Sequence, residues 1–178
     1  MKGLLFNMIE DVVSEVLSAD AWDDVVVRSG VSGSYTSLGD YLDKDMIAVV
    51  GATATVAGLS KDDTMRLLGR VGFRYLVRRV PHVLEGLDDW KVFLTSLDDI
   101  IHPEVLKSSP NAEVPSFVVV PDGAALMVGY ISKRGLCTLA EGLMLGCGDW
   151  FDVELSVEPL TCIHKGGDSC TMRVTEAG

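Results

Sequence analysis

The 178-residue sequence is short of positive charge: 15 lysines and arginines stand against 26 aspartates and glutamates, a formal net charge of −11. A nucleic-acid partner needs a basic stripe whose binding releases counterions from the phosphates, so this balance opposes such binding and no DNA or RNA partner is expected. Long apolar runs are missing too. The opening Met1-Lys2-Gly3-Leu4-Leu5-Phe6-Asn7 turns acidic at Glu10 and Asp11 before an export-length apolar core forms, and no stretch approaches membrane-spanning length. The expectation is a cytoplasmic protein with no membrane partner. Neither an internal repeat nor a low-complexity linker interrupts the chain, and with 48% hydrophobic and 23% charged residues there is little room for a disordered tail. Cysteine is absent until position 137; Cys137, Cys147, Cys162 and Cys170 crowd the last quarter. In a reducing compartment such thiols are free or metal-bound rather than a disulfide framework.

What is present reads as one domain over residues 1–178, long enough to bury a cofactor without disulfide staples. Over residues 4–17 Leu5, Met8, Ile9, Val12, Val16 and Leu17 recur at three- and four-residue spacing, which predicts an amphipathic helix. A second helix is expected after Asp20 as N-cap, a third over about 43–59, and a fourth from Ser60 until Pro81 stops it. A helical stretch from about Asp88 to Lys107 is expected to break near Pro103. Beyond Pro110 the pattern changes: Phe117 to Val120, a Pro121-Asp122-Gly123 turn and Ala125 to Ser132 make a hairpin. Gly135 to Gly148 returns to helix, and Val153 to Ile163 with Thr171 to Thr175 make a second hairpin. The fold class is therefore α+β, a helical part over about 1–110 packed on an antiparallel sheet of ββαββ order over about 111–178.

Two constellations carry chemistry. His102 lies in the partly apolar segment Leu97-Asp98-Asp99-Ile100-Ile101-His102-Pro103-Glu104-Val105, where a neutral imidazole suits either a core histidine or an iron ligand facing a cavity. His82, beside Pro81, reads as a loop histidine. At the end of the second strand, alternation points Tyr130, Ser132 and Arg134 the same way. Two hydroxyls and a planar guanidinium make either a solvated face or a carboxylate clamp. A clamp for two propionates plus an apolar-set histidine is what a non-covalently held haem requires.

The opening Met1 to Asn7, the segment Ile100 to Val105, Pro115, and above all Tyr130-x-Ser132-x-Arg134 resemble the haem nitric oxide/oxygen binding (H-NOX) family, in order and over essentially the whole chain. The resemblance implies a haem b domain in which His102 is the axial iron ligand and Tyr130, Ser132 and Arg134 bind the propionates. By the same resemblance Leu5 and Pro115 press on the macrocycle, and haem lies between the helical and strand parts. Oxygen-binding members of the family carry a distal tyrosine five residues beyond the clamp arginine; the matching position here is Leu139. With Ile9, Gly72 and Leu76 at the other wall positions, and Leu143 one turn beyond Leu139, the distal pocket reads as apolar. That favours nitric oxide over oxygen, with carbon monoxide left open. Tyr75 is the one polar neighbour, expected to turn aside by about 100° from Leu76.

Cys137, Cys162 and Cys170 can supply three ligands of a tetrahedral zinc site, which is separate from the haem if Leu139 faces the haem, because Cys137 lies about 200° around its helix from Leu139. Some H-NOX proteins hold zinc with three such cysteines and a histidine three residues before the middle one, where this sequence has Pro159. Either His164 substitutes as the fourth ligand or the thiols are metal-free; Cys147 is expected to be structural. The function expected is a gas sensor, not an enzyme, in which nitric oxide binding releases His102 and the signal passes to a separate histidine kinase or cyclic-di-GMP enzyme. Two rival readings are a cysteine or zinc redox switch, and a small-molecule binding module like the domain named after bacteriochlorophyll four-vinyl reductases; the clamp and the helical part weigh against the second.

Overall fold

Four helices open the chain in the computed structural model, which describes residues 1–79, 81–108 and 110–177, with the side chains of His82, Val83 and Ser108 outside the description. They are α1 (Gly3–Val16), α2 (Ala19–Ser29), α3 (Asp43–Ala57) and α4 (Lys61–Arg79). α1 buries Phe6, Met8, Ile9, Val12 and Val13; of the face marked out by spacing, Met8, Ile9 and Val12 are buried, whereas Val16 and Leu17 at its end are exposed. α2 is capped by Ser18 rather than Asp20: the Ser18 hydroxyl accepts from the Ala21 N–H at 3.1 Å. Asp20 falls in the first turn, where its charge complements the helix N-terminus. Ser60 caps α4, accepting from the Asp63 N–H at 3.1 Å and donating to the Asp63 carboxylate at 2.6 Å.

The helical stretch before the sheet breaks upstream of the expected point. α5 (Trp90–Thr95) and α6 (His102–Ser108) are separated by a π-helical turn, Leu97–Ile101. Pro103 has no N–H, and its ring crowds the carbonyl four residues back, so the strain falls on the turn that precedes it. There the ladder widens to five-residue steps, Ile101 N–H to Ser96 O at 3.1 Å and His102 N–H to Leu97 O. His102 thus becomes the first residue of α6, with helical φ −65° and ψ −39°.

The rest is ββαββ: β1 (Ser116–Asp122), β2 (Ala125–Ile131), α7 (Cys137–Trp150), β3 (Leu155–Thr161) and β4 (Cys170–Glu176). The strands form one antiparallel sheet in the order β1-β2-β4-β3, the α+β arrangement expected from the sequence. Pro121 lies within β1, opposite Leu126, rather than in the turn; an edge strand tolerates a residue that cannot donate to the ladder. The turn shrinks to Gly123 and Ala124, with Gly123 at φ 62°. β3, the other edge, carries Pro159 opposite Met172, and its register slips between Pro159 and Thr161.

Two apolar clusters fill the interior, one among α1 to α4 and one beneath the sheet, and α7 belongs to both: Leu139 is buried in the first, Ala140 and Met144 in the second. α4 and α7 approach closely because glycines line the seam. A Cβ on Gly142 would run into the Arg66 carbonyl, one on Gly146 into the Arg70 carbonyl, and one on Gly69 into the Leu139 carbonyl. Arg66–Glu141 and Arg70–Asp149 ion pairs, at 2.8 and 2.7 Å, flank the contact. Among the described residues no helix is long and apolar enough to cross a membrane.

Candidate functional site

His102, its side chain 15% exposed, leaves the widened turn with its ring against the sheet. Its Nδ1 lies 3.1 Å from an Asp98 carboxylate oxygen. The other Asp98 oxygen accepts from the Ser116 hydroxyl at 2.7 Å and from the Phe117 N–H at 2.8 Å. The imidazole stands 5.7 Å from the Phe117 ring, and Phe117 meets Tyr130 edge-on at 5.4 Å. Burial pulls His102 below the ordinary histidine range, with Asp98 only partly opposing it, so the ring is neutral near pH 7. With Nδ1 facing a carboxylate, Nε2 is the nitrogen left to meet a metal. Sequence reading missed both Asp98 and Phe117. The four-residue step from Asp98 to His102 was the available signal, since residues so spaced share a helix face.

The Tyr130 and Ser132 hydroxyls meet and Arg134 joins them through its backbone N–H, but not by strand alternation, because β2 ends at Ile131. Tyr130 is buried in the sheet at 4% exposure. Ser132 and Arg134 ride on a turn that closes from the Gly135 N–H to the Ser132 carbonyl, with Gly135 at φ 61°. The Tyr130 phenol accepts from the Leu136 N–H at 3.2 Å and lies against the Ser132 hydroxyl, which accepts from the Arg134 N–H at 3.2 Å. Burial holds the Tyr130 phenol above its ordinary range, so it stays a neutral hydrogen-bonding group. The Arg134 guanidinium is 2.9 Å from the carboxylates of Asp43 and Glu113 and donates to the Glu113 carbonyl at 2.8 Å. It is already surrounded by the anion chemistry for which a planar fork is suited. Asp43 also pairs with the Met1 amino group at 3.0 Å, tying the start of the chain to this corner.

On the helical side, Ile9 and Leu139 are buried in one apolar cluster, with Leu5, Leu76 and Leu143 packed against it. Gly72 faces Met8, whose thioether occupies the space a Cβ would need; Met8 is the cluster member that sequence reading left without a role. Tyr75 packs against the same cluster, but its phenol donates to the Glu15 carboxylate at the surface, and the Arg74 and Arg78 guanidinium groups lie over its ring. Pro115 is half-buried immediately before β1.

Cys137, Cys162 and Cys170 converge with their sulfurs within 4.8 Å of one another, Cys137 and Cys162 at 3.6 Å. A zinc ion with bonds of about 2.3 Å holds tetrahedral sulfurs about 3.8 Å apart, so the spacing suits a metal better than a disulfide. His164 is engaged elsewhere, its Nε2 2.6 Å from the Gly135 carbonyl, and is not part of the converging group. Pro159 offers no ligand in its place. Burial, reinforced by the neighbouring thiols, pushes Cys137 up to about 12. Cys162 is also raised by desolvation, but hydrogen bonds from the His164 backbone and the other thiols outweigh that and leave it lowered. Cys147 is fully buried away from the three and is pushed up by burial. As expected, Cys137 faces away from the cluster that holds Leu139. Yet the thiols border the Tyr130 corner, for Cys170 is the cross-strand partner of Tyr130.

Residues 2–159 match the family model described as Haem-NO-binding. The chain belongs to the Haem-NO-binding (H-NOX) family. Solved H-NOX structures superpose over its full length. An H-NOX protein from S. oneidensis is 26% identical; the Fe(II) state of a triple mutant of it gives a TM-score of 0.93 with 97% of that chain covered. Its Fe(II)NO state gives 0.92 with 100% covered. A point mutant of the H-NOX protein from K. algicida, in the Fe(II) unliganded state, is also 26% identical, with a TM-score of 0.86 and 97% of that chain covered. No match is found among the curated proteins.

Proposed function

We propose that this H-NOX chain is a haem-based gas sensor that binds nitric oxide at ferrous haem b and signals to a separate protein. The observation that carries the reading is the pairing of a neutral, half-buried His102, its Nε2 left for a metal, with the Tyr130–Ser132–Arg134 corner, the two joined through the Phe117 ring. That donor set suits haem: an imidazole for iron and a phenol, hydroxyl and guanidinium for propionates. Support also comes from the solved Fe(II)NO and Fe(II)CO states of the S. oneidensis relative. Bound haem would supply the ferrous iron that His102 holds, and uptake of the gas there would release His102. The protein does the rest. His102 holds the iron from α6, Arg134 and the two hydroxyls anchor the carboxylates, and Leu5 and Pro115 set the shape of the site. Ile9, Gly72, Leu76, Leu139 and Leu143 keep the gas side apolar, which selects nitric oxide, and carbon monoxide with it, against oxygen. Release of His102 frees α6 to move, and the moved surface signals to a histidine kinase or a cyclic-di-GMP enzyme. The chain acts as a single domain and as a sensor rather than an enzyme.

An absorption spectrum of the ferrous protein before and after nitric oxide tests the reading. Wild type should give a five-coordinate ferrous Soret band that shifts on adding the gas. H102A should lose the five-coordinate ferrous species, and an unchanged spectrum rejects His102 as the ligand.

The three converged thiols favour a second, separate reading for their corner, a zinc site completed by a ligand other than His164. Metal analysis of the purified protein decides: one zinc per chain, lost in C162S, supports it, and thiols that titrate freely in metal-free protein reject it.

A further inference from the structure

We infer that Asp98 is the positioning residue for His102: it fixes which imidazole nitrogen is free for iron and ties the ring to the start of β1. The inference deepens the haem reading above and rests on it. A neutral imidazole carries its proton on one nitrogen, and an ionised carboxylate can only accept. At 3.1 Å from Asp98, Nδ1 is therefore the protonated nitrogen and Nε2 keeps the lone pair. Ligating histidines generally have such an outer partner, which orients the ring and strengthens it as a donor.

Asp98 is itself held. Its second oxygen takes hydrogen bonds from the Ser116 hydroxyl at 2.7 Å and the Phe117 N–H at 2.8 Å, just beyond Pro115 in the chain. The π-helical turn that carries Asp98 also delivers His102 into α6. The imidazole cannot rotate away without breaking its bond to Asp98 or dragging the β1 start with it. Asp98 thus links the ligand to the strand whose Phe117 ring continues to Tyr130 and the carboxylate corner. Asp99, the next residue, is exposed and serves as the natural control, with the same charge one position away.

The test compares wild type, D98N, S116A and D99N. An asparagine has one acceptor oxygen and must turn its NH2 toward either His102 or the β1 donors, so the present pattern cannot persist. Nitrogen NMR of the His102 ring in haem-free protein should report a protonated Nδ1 in wild type and D99N, and a mixed or reversed tautomer in D98N. In haem-loaded ferrous protein the iron–histidine stretch should fall in D98N and haem should be lost about 10- to 100-fold faster. S116A, which removes one tether, should shift the stretch less in the same direction, and D99N should match wild type. Wild-type tautomer and stretch in a folded D98N overturn the inference. If D98N does not fold, S116A decides, and an unshifted S116A stretch overturns it. The haem reading fails separately, if H102A leaves the ferrous spectrum unchanged; the tautomer measurement in haem-free protein is independent of that outcome.

Discussion

Leu139, 7% exposed among Ile9, Met8 and Leu68, brings no hydrogen-bond donor to the helical side of the site. Iron-bound oxygen carries partial negative charge and needs such a donor to persist, whereas nitric oxide does not. Tyr75 is no substitute, because its phenol is spent on Glu15 at the surface. The ferrous protein in air should therefore form no stable oxygen complex. L139Y should form one, with oxygen leaving about 10- to 100-fold more slowly than from wild type, the range expected for one hydrogen bond to a charged group. Y75F should leave gas binding unchanged. Stopped-flow absorption in air-equilibrated buffer measures all three, and a long-lived oxygen complex in wild type contradicts the assignment of this wall.

The contact between α4 and α7 is built on absent side chains. Gly142 faces the Arg66 carbonyl and Gly146 the Arg70 carbonyl, both backbone atoms that cannot rotate aside. G142A should therefore destabilise the protein by about 1–3 kcal/mol through overpacking. G51A, in α3 with nothing near its missing Cβ, should instead stabilise by about 0.5–1 kcal/mol. Thermal melts of the two variants should move in opposite directions, and equal shifts would mean the seam is not as close as described. This seam was not legible in the sequence. Periodicity marks the faces of α1 and the strands of the sheet, but it does not say which helix a glycine will meet. The break before α6 was legible only in part: Pro103 announces it, yet the ring strains the preceding turn, so the widened ladder falls on 97–101. Tyr130, Ser132 and Arg134 were expected to share one side by strand alternation, but a turn rather than a strand carries the last two. The link from Asp98 to His102 was legible in their four-residue step, whereas its link to Ser116 and Phe117 of β1 was not.

At the scale of the whole molecule, α4 and α7 contribute buried residues to both apolar clusters, and the His102 segment lies on the sheet side of that division. The turn 97–101 touches β1 through Asp98, and α6 follows it directly. A signal that begins with release of His102 should therefore loosen α6, the turn and the first residues of β1 before it disturbs the core of α1 to α3. Amide hydrogen exchange separates these regions because it reports local opening rather than the mean structure. Adding nitric oxide to the ferrous protein should speed exchange over 96–108 and 116–118, while the buried amides of α1 and α3 stay protected. H102A reconstituted with haem and free imidazole should bind the gas without that local change, since its iron ligand is not attached to the chain. Equal deprotection in wild type and H102A, or none in either, would show that gas binding does not act through the histidine, and the route to a partner would then have to start from the helical side.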